Sequence, residues 1–125
     1  MKKKIIASAE FPVSGPYSAG VEANDTIYIS GQLPIDPVTG EIISDIKTAT
    51  RQILTNIQTI LKKTGLDMSC IVKTTIFLKN ISDFSAVNEV YAGFFPEEPP
   101  ARSTIQAGSL PKGALIEIEA VAIRK

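Results

Sequence analysis

The sequence predicts a single α+β domain in which two helices cover one face of a mixed β-sheet. Three observations predict this fold: a length of 125 residues, an order of strand, helix, strand, helix and two more strands, and strands that are apolar on both faces. A chain of this length forms one domain and buries one core. Residues 1–125 are therefore interpreted as one α+β (α/β-like) domain.

Composition and charge exclude several classes of function. The 13 basic and 13 acidic side chains cancel to a formal net charge of zero, and 44% of the residues are hydrophobic. A neutral chain has no overall attraction for nucleic acid or for an anionic membrane surface. No apolar run approaches the ~20 residues that span a bilayer. We therefore expect a cytoplasmic protein with neither nucleic acid nor a membrane as its partner.

The absence of histidine restricts the chemistry. Without histidine, and with Cys70 as the single cysteine, the chain has no Ser-His-Asp or Cys-His machinery and no His or Cys cage for a metal. Any reaction then depends on acidic, basic and hydroxyl side chains, with water as the nucleophile. Cys70 precedes an apolar strand and is predicted to be a small buried hydrophobe.

The first half of the chain predicts a strand and a long helix. A strand is predicted over Thr26–Ser30, which is rich in β-branched and aromatic residues and is closed by Gly31. A helix follows from about Ile46 to Thr64, because apolar residues recur there at helical spacing. Asp45 is placed to cap its start and Gly65 to end it.

The second half predicts a strand, a shorter helix and two further strands. The strand covers Ile71–Leu78, and Ser82 or Asp83 caps the helix that follows. The final strands are Arg102–Ala107 and Leu115–Arg124. The apolar face of the second helix is expected to consist of Phe84, Val87, Tyr91 and Phe94.

The predicted strands are apolar on both sides, whereas two helices cover only one face of the sheet. The face of the 71–78 strand that carries Val72 is predicted to include Ile76 and Leu78, with Ile71 and Phe77 on the opposite face. The other apolar face needs a second cover, and another copy of the chain supplies one. We therefore expect a homo-oligomer. The alternative is that the loop Gly31–Ser44 folds over this face.

Three charged residues on the late strands are candidates for chemistry. Glu117 and Glu119 alternate onto the face of Val121 and Ile123, where partial desolvation raises a carboxyl pKa toward the range of a general acid or base. The alternative is that both glutamates lie at a solvated end. Arg102 follows a proline-rich segment, and its guanidinium can bind a carboxylate through two parallel hydrogen bonds. The alternative role for Arg102 is an ordinary ion pair at the surface.

Weaker signals lie elsewhere. Asn88 lies at the edge of the apolar face of the second helix, where its amide either caps a neighbouring strand or reaches into a cleft. Tyr17 follows a Gly-Pro turn that fixes the backbone before an aromatic hydroxyl. The Ser30-Gly31 step at the end of the first predicted strand is similarly unspecific on its own.

Several short segments together carry a family resemblance. They run in order across nearly the whole chain: Gly15-Pro16-Tyr17-Ser18, Ser30-Gly31-Gln32-Leu33-Pro34, Thr39-Gly40-Glu41, Ile71-Val72-Lys73-Thr74-Thr75, Val87-Asn88-Glu89-Val90-Tyr91, Pro100-Ala101-Arg102-Ser103, and Leu110-Pro111-Lys112 leading to Ile116-Glu117-Ile118-Glu119-Ala120. With these segments the sequence resembles the RidA (YjgF-type) family of reactive-intermediate deaminases.

The resemblance implies a fold similar to chorismate mutase, assembled as a homotrimer whose sheets form a central barrel. It also implies hydrolysis of 2-aminoacrylate and related enamines, in their imine tautomers, to 2-oxo acids and ammonia without metal or cofactor. The expected partners are a small imino or oxo acid and further copies of the chain. The alternatives are a non-catalytic module that binds a 2-oxo acid and, less favoured by the neutral charge, an endoribonuclease or translation inhibitor.

The resemblance also implies roles for individual residues. Arg102 would anchor the substrate carboxylate, and Glu117 would polarise the attacking water and assist proton transfer. The Gly31 carbonyl would accept from the imine N–H, and the backbone N–H of Thr104 would help seat the carboxylate. The residues expected to line the cleft, some across a subunit boundary, are Tyr17, Ser30 and Asn88.

Three positions depart from the family pattern. Thr104 stands where the archetypal deaminases often have cysteine, Ala19 where they often have glutamine, and Ser109 where a long basic residue is common. A backbone contact at position 104 survives a change of side chain. The side chain of the preferred substrate is left open.

Overall fold

The structure of the protein, a computed structural model, describes residues 2–7 and 13–125. In this part of the chain six strands form one mixed sheet, and two α-helices pack on one of its faces. This architecture confirms the predicted fold class. The helices are α1 (Ile46–Lys62) and α2 (Phe84–Phe94), and the strands are β1 (Lys3–Ile6), β2 (Gly20–Ala23), β3 (Thr26–Gln32), β4 (Ile71–Leu78), β5 (Ala101–Gln106) and β6 (Ile116–Ile123).

The strand order in the sheet is β1-β2-β3-β6-β4-β5. Strands β4 and β5 are parallel and are connected through α2, whereas all other neighbours are antiparallel. A parallel pair needs such a crossover, because its two strands start at the same edge of the sheet. β5 consequently forms one edge of the sheet, beside α2.

The core lies between the sheet and the two helices. Alternate residues of the central strands are buried there, among them Ile27, Ile76 and Ile118. Helix α1 contributes Ile53, Leu54, Ile57, Ile60 and Leu61 to the same cluster. Cys70 belongs to this cluster as well, which confirms its prediction as a buried hydrophobe.

Helix α1 begins and ends as its sequence predicts. The side chain of Asp45 accepts a hydrogen bond of 3.0 Å from the backbone N–H of Thr48. At the other end Gly65 has a φ of +82°, which a residue without a β-carbon adopts at no cost. The predicted end at Thr64 is two residues beyond the last helical residue, Lys62.

The first two strands were not among the predicted elements. β2 and β3 form a hairpin whose turn residues Asn24 and Asp25 have φ values of 48° and 68°. Two consecutive positive φ angles define a turn that matches the twist of a hairpin, and Asn and Asp tolerate them better than most residues. The Asn-Asp step is therefore a signal in the sequence for a strand before Thr26.

Register shifts in two strands make them differ from the prediction. β3 continues through Gly31 to Gln32, and its pairing with β6 shifts between Ile29 and Gln32. Gly31 is thus part of a bulged strand rather than its end. A second shift in β4, between Ile71 and Lys73, buries Ile71 and leaves Val72 exposed, so the predicted faces of these two residues are wrong.

The entry into α2 also differs from the prediction. Asp83 occupies the N-cap position of α2, one of the two positions predicted, but its side chain makes no capping hydrogen bond, and a 3₁₀ turn over Ile81–Asp83 leads directly into the helix. The backbone N–H of Ile81 donates instead to the side chain of Gln106, at 2.9 Å. A long-range contact therefore fixes the turn that precedes the helix.

The sheet face away from the helices stays uncovered within one chain. Its exposed apolar residues include Tyr28, Ile105 and Ile123. The loop between β3 and α1 is held against α1, where Asn56 Nδ2 donates to the carbonyl of Ile35 at 3.0 Å. Residues 35–40 of the loop line a cavity together with Glu117. The loop nevertheless leaves the exposed apolar residues of this face uncovered, contrary to that alternative.

Neither helix of the described part of the chain is long and apolar enough to cross a membrane.

Candidate functional site

Glu117 and Gly31 form one half of the candidate site, on the uncovered face of the sheet. Glu117 lies on β6 between Ile116 and Ile118, which are both fully buried against the helices, so its side chain projects to the opposite face. A β-carbon built on Gly31 would overlap Glu117 Oε2 and lie 2.9 Å from its Cδ. Only glycine therefore lets this carboxylate rest on the bulge of β3.

The environment of Glu117 favours its neutral form. Burial raises the pKa of the Glu117 carboxyl above its ordinary value, and the nearby carboxylate of Glu119 raises that pKa further. Among the residues that the structure describes, no side chain or backbone group forms a hydrogen bond or ion pair with the Glu117 carboxylate. Its carboxylate is left to interact with a water molecule or a ligand.

Tyr17 and Ser30 line the same open cavity as Gly31 and Glu117, with a volume of about 900 Å³. Ser30 Oγ donates to the carbonyl of Ser18 at 2.6 Å, which fixes the segment before β2 against β3. Tyr17 is 52% exposed. The structure thus brings together four of the seven residues predicted for the site.

Arg102 and Asn88 form a second group, on the helix side of the sheet. Arg102 lies on β5 opposite Thr74 of β4, whose side chain is buried under α2. Its Nη2 donates to Asn88 Oδ1 at 2.7 Å. Asn88 therefore neither caps a strand nor stands free in a cleft, and Arg102 has no carboxylate partner among residues 2–7 and 13–125.

Two aromatic rings also hold the guanidinium. Arg102 Cζ lies 4.8 Å from the centre of the Tyr91 ring and 5.3 Å from that of Phe84. Both distances are within the range of a cation–π interaction. The sequence predicts these rings on the apolar face of α2 and indicates no part for them in the site.

Thr104 lies two residues beyond Arg102 on the same side of β5. Its hydroxyl is buried, and no hydrogen-bond partner for it exists in the described part of the chain. Thr104 therefore belongs with Arg102 and Asn88 rather than with the Glu117 cavity.

The two groups point to opposite faces of one sheet. Glu117 pairs with Phe77 on the uncovered side, whereas Arg102 pairs with Thr74 on the helix side. Strands β6 and β5 are separated by β4, so their axes are roughly 10 Å apart. One chain therefore does not place Arg102 and Glu117 around a single small molecule.

Comparisons with known proteins place the chain in a family. A family model described as Endoribonuclease L-PSP matches residues 7–124. The 2-iminobutanoate/2-iminopropanoate deaminase of Escherichia coli is 44% identical over 126 residues, covering 98% of both chains. A RutC family protein of Pyrococcus horikoshii is 46% identical over 125 residues, covering 98% of this chain and 99% of its own.

The solved structures agree with this assignment. E. coli TdcF, solved with bound serine, superimposes with a TM-score of 0.92 at 40% identity, covering 98% of this chain and 99% of that one. The chain belongs to the Endoribonuclease L-PSP family, which is the YjgF/RidA family. The family resemblance drawn from the sequence is thereby confirmed.

Proposed function

We propose that this protein is a hydrolytic deaminase of small 2-imino acids, such as 2-iminopropanoate and 2-iminobutanoate, and that it acts as a homotrimer. One observation carries the proposal. The chain holds an unpaired, partly desolvated carboxylate, Glu117, and a fixed guanidinium, Arg102, which has only neutral partners in the described structure. A 2-imino acid presents the groups that these two residues complement, namely a carboxylate and an electrophilic carbon attacked by water.

In the proposed reaction Arg102 binds the substrate carboxylate, and the backbone N–H of Thr104 donates to it as well. The carbonyl of Gly31 accepts from the iminium N–H and orients C2. Glu117 takes a proton from water as the water oxygen bonds to C2. Glu117 then transfers that proton to nitrogen and accepts the proton of the C2 hydroxyl as the C–N bond breaks and the C2=O double bond forms, so the products are a 2-oxo acid and ammonia. Tyr17, Ser30 and Asn88 orient the substrate and Arg102.

The proposed trimer explains how residues on opposite faces share one substrate. Arg102 lies on the edge strand β5, so the edge of one chain can lie against the uncovered sheet face of the next, beside Gly31 and Glu117. Such packing also buries the exposed apolar residues of that face. In this arrangement the sheets of three copies enclose a central barrel, and each site lies between two chains.

The experiment generates 2-aminoacrylate from serine with an excess of a serine dehydratase, so that non-enzymatic hydrolysis limits pyruvate release. Addition of this protein should accelerate the release of pyruvate in proportion to its concentration. Arg102→Ala at the same concentration is the matched control. Pyruvate release that is no faster with the folded wild-type protein than without it would refute the proposal.

A second candidate function is a module that binds a 2-oxo acid without turnover. The observation that favours it is the Arg102–Asn88 pair, because binding a carboxylate requires the guanidinium alone. Binding of 2-oxobutanoate without acceleration of imine hydrolysis would establish this function instead. We do not propose cleavage of RNA, since the chain is neutral overall and has no histidine.

A further inference from the structure

The contacts around Arg102 come from one stripe of α2. Phe84, Asn88 and Tyr91 are spaced four and three residues apart, so they lie on the same face of the helix. Asn88 accepts a hydrogen bond from one end of the guanidinium at 2.7 Å, and the guanidinium carbon lies over both rings. A single helix therefore holds the charged group in position from several sides.

The ring of Tyr91 is itself fixed on several sides. Its hydroxyl forms a buried hydrogen bond of 2.7 Å with Thr74 Oγ1, and its ring centre lies 4.7 Å from that of Phe95. Tyr91 is 6% exposed. Thr74 is also the residue that pairs with Arg102 in the β4–β5 ladder. Strand and helix thus meet directly under the guanidinium.

Phe84 contacts the guanidinium from a more open position. Its side chain is 41% exposed, and it contributes no large fully buried surface to the core. A phenylalanine at the first position of a helix is not required for the helix to form. The interaction observed for the Phe84 ring is its contact with the Arg102 guanidinium.

The chemistry of these partners leaves the charge of Arg102 available. An amide oxygen and two aromatic faces attract a guanidinium, but none of them neutralises it. A carboxylate in their place would compete with the carboxylate of the substrate. A flexible side chain also loses entropy on binding a ligand, and holding it in the bound geometry beforehand reduces that loss.

We propose that Tyr91 and Phe84 are positioning residues that hold the Arg102 guanidinium in place for the substrate carboxylate, and that the Thr74 hydroxyl fixes Tyr91 in this role. The inference rests on the proposed function, because it gives Arg102 a carboxylate to bind. It adds a specific expectation: loss of either ring weakens carboxylate binding and leaves the chemical step at Glu117 unchanged.

The test compares Phe84→Leu with Phe84→Tyr and with Phe94→Leu. Phe94 lies on the same helix and packs against the core, and it makes no aromatic contact with Arg102. Phe84→Leu should weaken 2-oxobutanoate binding, measured by calorimetry, about two- to fivefold. Phe84→Leu should also raise KM by the same factor, with kcat unchanged. Phe84→Tyr should restore the wild-type affinity and KM. Phe94→Leu should change neither the affinity nor KM.

Tyr91 is tested through its ring and its hydroxyl separately. Tyr91→Leu should weaken 2-oxobutanoate binding by about tenfold or more, because this ring is closer and desolvated. Tyr91→Phe and Thr74→Val keep the aromatic ring and should weaken 2-oxobutanoate binding less than Tyr91→Leu does. In each variant the ¹⁵N NMR signals of the Arg102 guanidinium report its mobility, which should rise in the two leucine variants at positions 84 and 91 and not in Phe94→Leu.

The readouts separate this inference from the proposed function. Weakened 2-oxobutanoate binding and a mobile guanidinium in Phe84→Leu would support the positioning role even if the wild-type protein hydrolyses no imine. Wild-type affinity and an unchanged guanidinium signal in both leucine variants would overturn it. A wild-type protein that does not bind 2-oxobutanoate would overturn it as well.

Discussion

At the scale of single residues, Gly31 leaves room for the Glu117 carboxylate that no other residue type would leave. Gly31 lies in the bulge of β3, directly beneath the Glu117 carboxylate, and a larger residue would displace that group. A glycine inside a strand is a general signal of a bulge or of a close approach. Here both occur at the same position, and the bulge places the Gly31 backbone beside Glu117.

Arg102→Ala should abolish measurable imine hydrolysis while the fold is retained. The loss of a charge-assisted, two-pronged contact should weaken substrate binding by about 1.5–3 kcal/mol or more. Arg102→Lys should fail too, because a point charge does not reproduce the planar fork of the guanidinium. Arg51→Ala, which removes an exposed arginine of α1, is the control. Wild-type rates in purified, folded Arg102→Ala would contradict the assignment.

Glu117→Gln should lower the rate of hydrolysis by roughly a hundredfold to ten-thousandfold, the usual contribution of a general acid or base. Glutamine keeps the size and hydrogen bonding of the side chain and removes its basicity. Binding of 2-oxobutanoate, measured by calorimetry, should change little. If binding is lost together with turnover, Glu117 is a binding or structural residue instead.

The pH dependence of hydrolysis should carry the signature of Glu117. A general base must be ionised, so kcat/KM should fall as the pH decreases through the pKa of Glu117, which burial raises above its ordinary value. Glu119→Gln removes the second cause of this increase. The acidic limb of the pH–rate profile should therefore move to lower pH in Glu119→Gln, and a limb that stays in place or moves upward would contradict the role of Glu117.

At the scale of secondary-structure elements, an ion pair ties β2 to the end of the chain. Arg124 follows β6 and binds Glu22 through two hydrogen bonds, of 2.8 Å and 3.0 Å. Its backbone N–H donates to the carbonyl of Asp25 at 2.7 Å. These contacts cross β3, which lies between β2 and β6. They fasten the β1–β2 edge, which the sequence analysis did not predict.

Glu22→Gln should lower the melting temperature by about 2–4 °C at neutral pH, the effect of a partly exposed ion pair. The hydrogen bonds from Arg124 lower the pKa of Glu22, so the ion pair stabilises the fold above the ordinary pKa of about 4.3. This stabilisation is lost as the pH falls through the lowered pKa. The difference in melting temperature between the wild type and Glu22→Gln should therefore become smaller at acidic pH.

Glu97→Gln, at an exposed glutamate between the helix α2 and β5, is the matched control and should leave the melting temperature unchanged at both pH values. A difference between wild type and Glu22→Gln that persists below the lowered pKa would show that the loss of packing, rather than of charge, destabilises the variant.

The sequence was sufficient for the elements whose signals are local. α1 and β4 follow from apolar periodicity, and Asp45 and Gly65 follow from cap chemistry, as the structure confirms. The short strands β1 and β2 lack such periodicity, and their formation depends on pairing with β3. The turn before α2 is held by Gln106, which lies 25 residues after Ile81 along the chain.

For the site, the residue types were easier to predict than their directions. Alternation along β6 correctly puts Glu117 opposite the buried Ile116 and Ile118. The direction of Arg102 depends on the parallel pairing of β5 with β4 and on the position of α2 above them. Local periodicity predicts neither the strand pairing nor the helix position. The separation of the two groups on opposite faces is therefore visible only in the assembled sheet.

At the scale of the whole molecule, the proposed oligomer can be tested on its uncovered sheet face. Ile123→Asp places a charge on that face and should dissociate the oligomer and abolish activity, because burying an unpaired charge costs several kcal/mol. Ile81→Asp, on the turn before α2, is the matched control. In one chain the two isoleucines are similarly exposed, at 39% and 46%.

A monomer should tolerate both substitutions equally, whereas an oligomer should respond only to Ile123→Asp. Analytical ultracentrifugation beside the pyruvate assay measures both effects. A well-folded monomer of Ile123→Asp with undiminished turnover would refute a site shared between chains. A wild-type chain that sediments as a monomer at micromolar concentration would refute the oligomer itself.

The placement of Glu117 and Arg102 on opposite faces has a consequence for mixtures of defective chains. In the proposed trimer each site takes Glu117 from one chain and Arg102 from the next. A mixed trimer of Glu117→Gln and Arg102→Ala chains then contains one intact site, whether the ratio is two to one or one to two. It should recover about one third of wild-type activity, although each parent alone is inactive. Mixed trimers isolated with two affinity tags would test this complementation, and inactive mixtures would mean that both residues act from the same chain.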